Sequence, residues 1–284
     1  MATAETVLIA PDYDLAATLD SGQAFRWRNE NGVWRGVIGS RQVRLRQDDN
    51  SIHAQTPAPC ADWRWLEDYL QPATDLGAVL NTFPDDPPMR EAVRACRGLR
   101  LLRQEPWECL ASFILSSTKQ IVQIRQIVAL LCERFGEPLP ILPFGAPEFS
   151  FPTAQRIAAL TEAELRDCKM GFRAPYLLGT ARRVAEGGID PAALHSLPLE
   201  TARAELMRLP GVGRKIADCV LLFGCGFDAA FPIDVWVLKA LQQLYFPKRR
   251  AARKRLERFA ATHFGPHAGY AQQYLFHYMR TKIK

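Results

Sequence analysis

Two patterns of hydrophobic and polar positions divide the chain. From residue 21 to residue 55, apolar and polar side chains alternate with a period of two, which is typical of strands that pack on one face. The alternating runs lie at residues 24–28, 33–38, 41–46 and 51–55. Asn31-Gly32 between two of these runs indicates a hairpin turn. The pattern therefore predicts an antiparallel sheet.

After about residue 90 the period changes to 3.6 residues, which predicts helices. A short helix at 63–70 and a proline-rich connection precede this region. The further predicted helices span 108–115, 121–135, 153–160, 162–168, 174–186, 199–208, 214–223 and 235–245. The predicted fold class is α+β. It comprises an antiparallel sheet domain over 1–96 and a two-lobed, all-helical body over 97–284.

A glycine hairpin interrupts the helices in the stretch Leu-Pro-Gly-Val-Gly, and a helix-hairpin-helix motif is expected over about 200–223. Pro210 lacks an amide donor, and Gly211 and Gly213 allow backbone angles that other residues disfavour, so the stretch must turn. The helix that follows leaves its first amides free near the two glycines. Such a helix start is suited to a phosphate.

The composition narrows the possible classes of protein but does not indicate a specific function. The chain has 284 residues, a net charge of +6 and the apolar content of an ordinary globular protein, so a polyanionic partner is favoured but not established. Seven irregularly spaced cysteines argue against a disulfide framework and a zinc site. The acidic residues near the start and the lack of long apolar runs predict an intracellular protein without membrane contact.

The residues around the hairpin point to chemistry. Lys215 lies in the first turn of the second helix, and Cys219 follows four residues later on the same face. Asp234 stands 19 residues past the lysine, directly before another helix. A hairpin that holds a DNA backbone between a lysine and an aspartate suits covalent catalysis at a sugar carbon. This stretch resembles the helix-hairpin-helix, Gly/Pro-Asp DNA glycosylases, and within them the 8-oxoguanine DNA glycosylase/lyases.

The resemblance extends over most of the chain and implies roles for both residues. Lys215 would attack C1′ of a flipped nucleoside, expel the base and form a Schiff base that eliminates the 3′ phosphate. Asp234 would stabilise the positive charge that develops on the sugar. Two simpler interpretations stay open. Lys215 could contact a phosphate in a hairpin without catalysis, and Asp234 could be the N-cap of its helix.

Four further residues resemble the family's base pocket. The carbonyl of Gly22, in the segment 21–27, would accept a hydrogen bond from N7–H of the oxidised base, whereas guanine has a lone pair at that atom. Gln272 would bind the Watson–Crick edge, and Phe276 and Cys219 would cover the two faces. Taken singly, Gly22 could be turn punctuation, Phe276 core packing and Cys219 a small buried side chain.

The resemblance also predicts contacts with the surrounding duplex. Phe172 would wedge into the base stack, and Arg173 would read the orphaned base. Three positions depart from the animal-type pattern. Thr118 replaces the first residue of an asparagine triplet, Gln123 replaces an arginine that contacts the orphaned cytosine, and Trp236 replaces a phosphate-binding histidine. We therefore expect a weaker preference for cytosine opposite the lesion and an altered backbone contact.

No cofactor is expected to be required. Family members place an alkali or alkaline-earth cation on hairpin carbonyls, which here would be those around Met207, Leu209 and Val212. Relatives with an iron–sulfur cluster carry four closely spaced cysteines near the C-terminus, and none lies beyond Cys225, so no cluster is expected.

The favoured interpretation is a monomeric, nucleoid-associated enzyme of bacterial or archaeal type that excises 8-oxoguanine from double-stranded DNA. A second is a glycosylase for another damaged purine, such as an alkylated base. A third is a helix-hairpin-helix DNA-binding protein without turnover. The four pocket residues favour the first of these over the second.

Overall fold

The computed structural model describes residues 2–117, 119–142, 146–248 and 250–282. Its N-terminal part is a five-stranded antiparallel sheet with the strand order β1-β5-β4-β3-β2. The strands are β1 (Thr3–Ile9), β2 (Arg28–Glu30), β3 (Val33–Ile38), β4 (Arg41–Asp48) and β5 (Ser51–Pro57).

The rest of the described chain is mostly helical, and the predicted α+β fold class is confirmed. The helices are α1 (Leu15–Asp20), α2 (Arg64–Leu70), α3 (Leu76–Leu80), α4 (Pro87–Cys96), α5 (Pro106–Leu115), α6 (Ile121–Phe135), α7 (Ala154–Ala158), α8 (Glu162–Leu165), α9 (Ala174–Ala185), α10 (Leu199–Met207), α11 (Arg214–Phe223), α12 (Val235–Ala240), α13 (Arg253–His263) and α14 (Ala268–Lys282). Shorter helical turns lie at Arg166–Met170, Gly171–Arg173, Pro191–Ser196 and Leu241–Tyr245.

The prediction of a strand at residues 24–28 is wrong except at its last residue, because the segment passes between two cores. Phe25 packs into the core of the helical body, whereas Trp27 packs into the core beneath the sheet. Side-chain amides take the place of strand partners. Gln104 donates to the carbonyl of Gln23 at 2.6 Å, and Gln273 donates to the carbonyl of Ser21 at 3.0 Å.

Strand β1 was missed because its apolar residues are consecutive rather than alternating. Leu8 faces the core beneath the sheet, while its neighbours Val7 and Ile9 point outward and are exposed. An edge strand tolerates such residues on its outer face, so periodicity alone does not reveal it.

Trp27 fixes the segment 21–27 on the sheet. Its indole Nε1 donates to the hydroxyl of Tyr69 at 2.9 Å, and its ring lies directly on Gly36 of β3. A Cβ at position 36 would approach Cε3 of Trp27 to 2.5 Å, so only glycine leaves room for the ring.

A buried ion pair joins the two helices of the hairpin motif. Arg203 of α10 donates from Nε to Oδ1 of Asp218 on α11 at 2.6 Å, with side chains only 6% and 4% exposed. Glu200 contacts the same guanidinium from the preceding turn. Removing one member of a buried pair leaves the other charge without its partner, which is strongly destabilising.

We expect Asp218→Ala to lower the free energy of unfolding by about 3 kcal/mol, because it removes the buried carboxylate from the Arg203 guanidinium and leaves it the exposed Glu200. Urea titration followed by circular dichroism measures this change. Glu205→Ala is the matched control, since it breaks an ion pair with Arg208 at the surface of the same α10–turn segment. This control should cost no more than about 1 kcal/mol. Equal losses in the two variants would contradict a special role for the buried pair.

Candidate active site

The turn between α10 and α11 is tight and is packed against α9. The amide of Val212 donates to the carbonyl of Leu209 at 3.2 Å, and Thr180 donates from its hydroxyl to the carbonyl of Pro210 at 3.0 Å. Gly211 has a φ of +76°, and a Cβ there would lie 2.6 Å from Cβ of Tyr176. Glycine is therefore required at 211 by both backbone angle and space.

Gly213 is the N-cap of α11, and both Gly211 and Gly213 are exposed. The amides in the first turn of α11 have no partners within the helix, so this turn can bind an anion. The hairpin predicted from the sequence is thus present with its helix start open to the surface.

Lys215 projects from the first turn of α11 and is half-buried. Its Nζ donates to Oγ of Ser116 at 3.0 Å and lies 5.2 Å from the centre of the Phe113 ring. The Ser116 hydroxyl in turn donates to the carbonyl of Phe113 at 2.7 Å, which leaves an oxygen lone pair for the lysine. Ser116 and Phe113 therefore fix the direction of the amine.

Sequence reasoning missed these two residues. Ser116 and Phe113 lie at the end of α5, where the sequence predicts a helix and no functional residue. The only available signal was a serine following an apolar helix, which is a common C-terminal feature. Their contact with Lys215 arises from the packing of α5 on α11, and the sequence separation of 99 residues between Ser116 and Lys215 conceals it.

Asp234 is the N-cap of α12 and accepts a hydrogen bond from the amide of Val237 at 2.8 Å. The capping interpretation is confirmed, and it fixes the direction of the carboxylate. Burial raises the pKa of Asp234 above its ordinary value, while that hydrogen bond and the charge of Lys215 act in the opposite direction. The charge of Lys215 therefore acts on the Asp234 carboxylate.

Cys219 lies near both of these residues. Its side chain is buried, and this burial raises the pKa of the thiol to about 12, with the Lys215 charge opposing the shift. Asp234 acts on the thiol in the same direction as burial. Cys219 is therefore a neutral thiol at physiological pH and does not compete with the lysine as a nucleophile.

Gly22 and Phe276 come together from opposite ends of the chain. A Cβ at Gly22 would lie 3.4 Å from Cε1 of Phe276 and 2.7 Å from Cδ1 of Ile121, and the glycine has a φ of +79°. Gln272 lies one turn before Phe276 on α14 and is only 4% exposed. Among the described residues its Oε1 has no hydrogen-bond partner. A buried acceptor of this kind points to a polar ligand.

An aromatic contact links the two groups of residues. Phe25, three residues after Gly22, meets Phe113 edge to face with ring centroids 5.5 Å apart. Phe113 also lies beside the amine of Lys215. The segment 21–27 and the lysine therefore contact the same aromatic ring.

The predicted wedge region contains an exposed aromatic pair. Phe172 is 56% exposed and lies at 6.5 Å, edge to face, from Tyr176, which itself contacts the hairpin at Gly211. Arg173 is 2% exposed, and its guanidinium lies 4.2 Å from the centre of the Phe172 ring. The outer residue is therefore Phe172, and Arg173 supports it from beneath. A contact of Arg173 with DNA stays a prediction.

The backbone explains this exposure of Phe172. The helix predicted at 162–168 ends early, at Leu165, and an irregular turn follows in which Lys169 and Gly171 have φ values of +62° and +60°. This turn brings residue 172 to the surface directly before α9.

The structure also describes two of the other residues that were predicted to contact DNA. Gln123 is exposed on the first turn of α6, where its side chain accepts a hydrogen bond from the amide of Gln120 at 3.2 Å. Trp236 is half-buried, with Nζ of Lys239 5.5 Å from its ring centre. Thr118 lies outside the described residues.

Within the described ranges, no helix is both long and apolar enough to cross a membrane. In the same part of the chain, no group of three or more His, Cys, Asp or Glu side chains is placed to hold a metal ion. Of the hairpin carbonyls proposed for a cation, that of Leu209 accepts the amide of Val212.

Two family descriptions match the chain. Residues 7–110 match the 8-oxoguanine DNA glycosylase N-terminal domain, and residues 111–266 match the HhH-GPD superfamily of base excision DNA repair proteins. The chain is 30% identical over 296 residues to a probable N-glycosylase/DNA lyase of Methanothermobacter thermautotrophicus, with 95% of this chain and 94% of that protein covered. It is 32% identical over 280 residues to the N-glycosylase/DNA lyase OGG1 of Arabidopsis thaliana, with 92% and 76% covered.

A solved structure is similar over the whole chain. It is the 8-oxoguanine glycosylase/lyase of Clostridium acetobutylicum in complex with double-stranded DNA containing cytosine opposite 8-oxoG. The TM-score is 0.92 at 30% identity, with 100% of this chain and 99% of that chain covered.

The sheet, the helical body and the hairpin with its lysine and aspartate define a helix-hairpin-helix protein of base excision DNA repair. Within that superfamily, the chain belongs to the 8-oxoguanine DNA glycosylase family of N-glycosylase/DNA lyases.

We expect Gly211→Ala to destabilise the hairpin, because a side chain at positive φ costs about 1 to 3 kcal/mol and the new Cβ would also overlap Tyr176. Gly213→Ala is the matched control, since that glycine has a φ of −91° and nothing within 4 Å of a Cβ. The control should cost at most about 1 kcal/mol as an altered N-cap. Chemical denaturation and duplex DNA affinity measure both variants. If the two variants are equally stable, Gly211 is not constrained as described.

Proposed function

We propose that this protein is a bifunctional DNA glycosylase and AP lyase that excises 8-oxoguanine from double-stranded DNA. The observation that carries the proposal is the Lys215 amine, which Ser116 holds at the start of an exposed hairpin helix and whose charge acts on the half-buried Asp234 carboxylate. Phosphate at that helix start would place an extruded nucleotide next to the amine.

The bond changes follow from these two groups. The neutral amine of Lys215 attacks C1′ of the flipped nucleoside, and the C1′–N9 electron pair leaves with the base, which takes up a proton. Asp234 stabilises the positive charge on the sugar during this step. After the nitrogen loses a proton and the sugar ring opens, a Schiff base joins the lysine to C1′. Loss of a proton from C2′ then expels the 3′ phosphate by β-elimination.

Base recognition would depend on Gly22 and Gln272. The Gly22 carbonyl can accept N7–H of 8-oxoguanine, whereas guanine would present a second acceptor at that atom. An unmatched buried acceptor costs about 1 to 3 kcal/mol, which is enough to reject guanine by about ten-fold or more. The buried Oε1 of Gln272 would accept a donor of the base's Watson–Crick edge. Phe276 would stack on the base, and Cys219 would cover its other face.

The alternative activities are less well supported. Excision of an alkylated purine would not explain the proposed contact of the base with the Gly22 carbonyl. In addition, residues 7–110 match the 8-oxoguanine DNA glycosylase N-terminal domain. DNA binding without turnover does not require a lysine that is oriented by Ser116 and whose charge acts on a half-buried carboxylate.

The surface around the site supports a duplex substrate. Among the residues that the structure describes, five of the eight large exposed apolar side chains lie in segments that flank the site, and such residues can wedge between base steps. They are Val122, Phe172, Tyr176, Met207 and Val235.

A chromosomal substrate also implies an intracellular, nucleoid-associated protein. A cation on the carbonyls of Met207, Leu209 and Val212 would add charge for a phosphate.

We expect borohydride to trap wild-type protein on 8-oxoguanine duplex as a covalent adduct, because reduction fixes the Schiff base. Lys215→Gln should give no adduct, since it removes the amine. Lys239→Gln is the matched control, as this lysine lies on α12 but contacts the Trp236 ring. Denaturing gel electrophoresis measures the adduct. Trapping that survives in Lys215→Gln, or that is lost in Lys239→Gln, would assign the nucleophile to another residue.

We expect Asp234→Asn to keep lesion binding but lose base release by about 100-fold or more, because the amide carries no charge to balance the sugar. Wild-type excision should fall with acidification as Asp234 becomes protonated. Since burial raises its pKa, this fall should begin above the range of an ordinary aspartate. Single-turnover rates against pH measure both effects. An Asp234→Asn variant with wild-type rates, or with the same acidic limb, would rule out this role.

A further inference from the structure

Three charged side chains meet beside the proposed base pocket: Asp20, Arg125 and Arg280. We call them the Asp20 cluster. Arg125 donates to Oδ1 of Asp20 at 2.8 Å, and Nη2 of Arg280 lies 3.3 Å from Oδ2. Arg280 also donates to the backbone carbonyl of Asp20. One aspartate therefore joins the end of α1 to both α6 and α14.

The two arginines lie on the same helix faces as pocket residues. Ile121 precedes Arg125 by four residues on α6, and Phe276 precedes Arg280 by four residues on α14. Side chains four residues apart are neighbours on one face of a helix. The guanidinium of Arg280 lies 5.9 Å from the centre of the Phe276 ring. Each helix thus presents one pocket residue and one arginine of the cluster.

Gly22 lies two residues after Asp20 and completes the arrangement. A Cβ at Gly22 would be 3.6 Å from Nη1 of Arg280, in addition to its short distances from Ile121 and Phe276. The position of the Gly22 carbonyl relative to the Phe276 ring is therefore coupled to the position of Asp20 relative to Arg280.

Without Asp20 the cluster would hold two positive charges and no carboxylate between them. Burial lowers the pKa of Arg280, and Arg125 acts in the same direction, whereas Asp20 opposes both. Removal of the carboxylate would leave two like charges side by side, and their repulsion would separate α6 from α14 at the pocket.

We propose that the Asp20 cluster is a positioning element for base recognition, which holds the Gly22 carbonyl and the Phe276 ring at the separation that an oxidised purine requires. The inference rests on the proposed function. None of the three side chains is assigned a step in the bond changes. The cluster acts through Gly22 and Phe276, so it should affect base excision and leave the cleavage of an existing abasic site unchanged.

The test compares two activities of the full-length protein. Asp20→Asn and Arg280→Gln should slow single-turnover excision of 8-oxoguanine by about ten-fold. Their cleavage of a preformed abasic site should stay within about two-fold of wild type, because that substrate has no base to position. Arg280→Lys keeps the charge but not the planar guanidinium, so its excision rate should lie between those of wild type and Arg280→Gln. Arg97→Gln is the matched control, since it breaks an exposed pair with Asp12 outside the cluster.

A second measurement does not depend on activity. Hydrogen–deuterium exchange of the peptide covering residues 18–25 should be faster in Asp20→Asn and Arg280→Gln than in wild type and Arg97→Gln. Unchanged exchange, unchanged excision, or an equal loss of excision and abasic-site cleavage would each overturn the positioning role. A wild-type protein that cleaves abasic sites but leaves 8-oxoguanine in place would overturn the proposed function, and exchange would then decide the cluster separately.

Discussion

The structure depends on one short segment, residues 21–27, which crosses from the helical body to the sheet without a strand partner. Its carbonyls are bonded by side-chain amides, and its two large aromatic residues enter different cores. Because Phe25 and Trp27 are both buried, the segment cannot shift toward either body without losing apolar contacts. This constraint places Gly22 against a helix from the other end of the chain.

The candidate site combines two half-buried ionisable side chains, Lys215 and Asp234, each of which is oriented by a hydrogen bond. Lys215 stays half-buried and is oriented by a hydroxyl, which fixes the direction of the amine. Asp234 is directed by its own helix cap, so the carboxylate needs no movement to face developing charge. The hairpin is the shared support, because Lys215 and Cys219 both project from α11.

Local patterns predicted much of this arrangement. The bounds of α6 and α11 agree with the sequence prediction because each presents an uninterrupted apolar face between clear boundaries. The hairpin followed from Pro210 and Gly211, whose backbone requirements are local. Strand β1 was missed and the strand predicted at residues 24–27 was wrong, since tertiary contacts rather than periodicity decide both. The α-helix predicted over 162–168 ends at Leu165 and is followed by the helical turn Arg166–Met170, within which Lys169 adopts a positive φ.

The sequence by itself determined the fold class, the hairpin and the placement of Lys215 and Cys219 on one helix face, because these follow from residue spacing and backbone restrictions. Tertiary structure alone decided that Ser116 contacts the lysine, that Gly22 meets Phe276, that Arg173 is buried beneath Phe172 and that Asp20 joins two helices. The residues in these contacts are separated by between one and more than 250 positions in the sequence. The geometry of the contacts depends on packing, which no local pattern encodes.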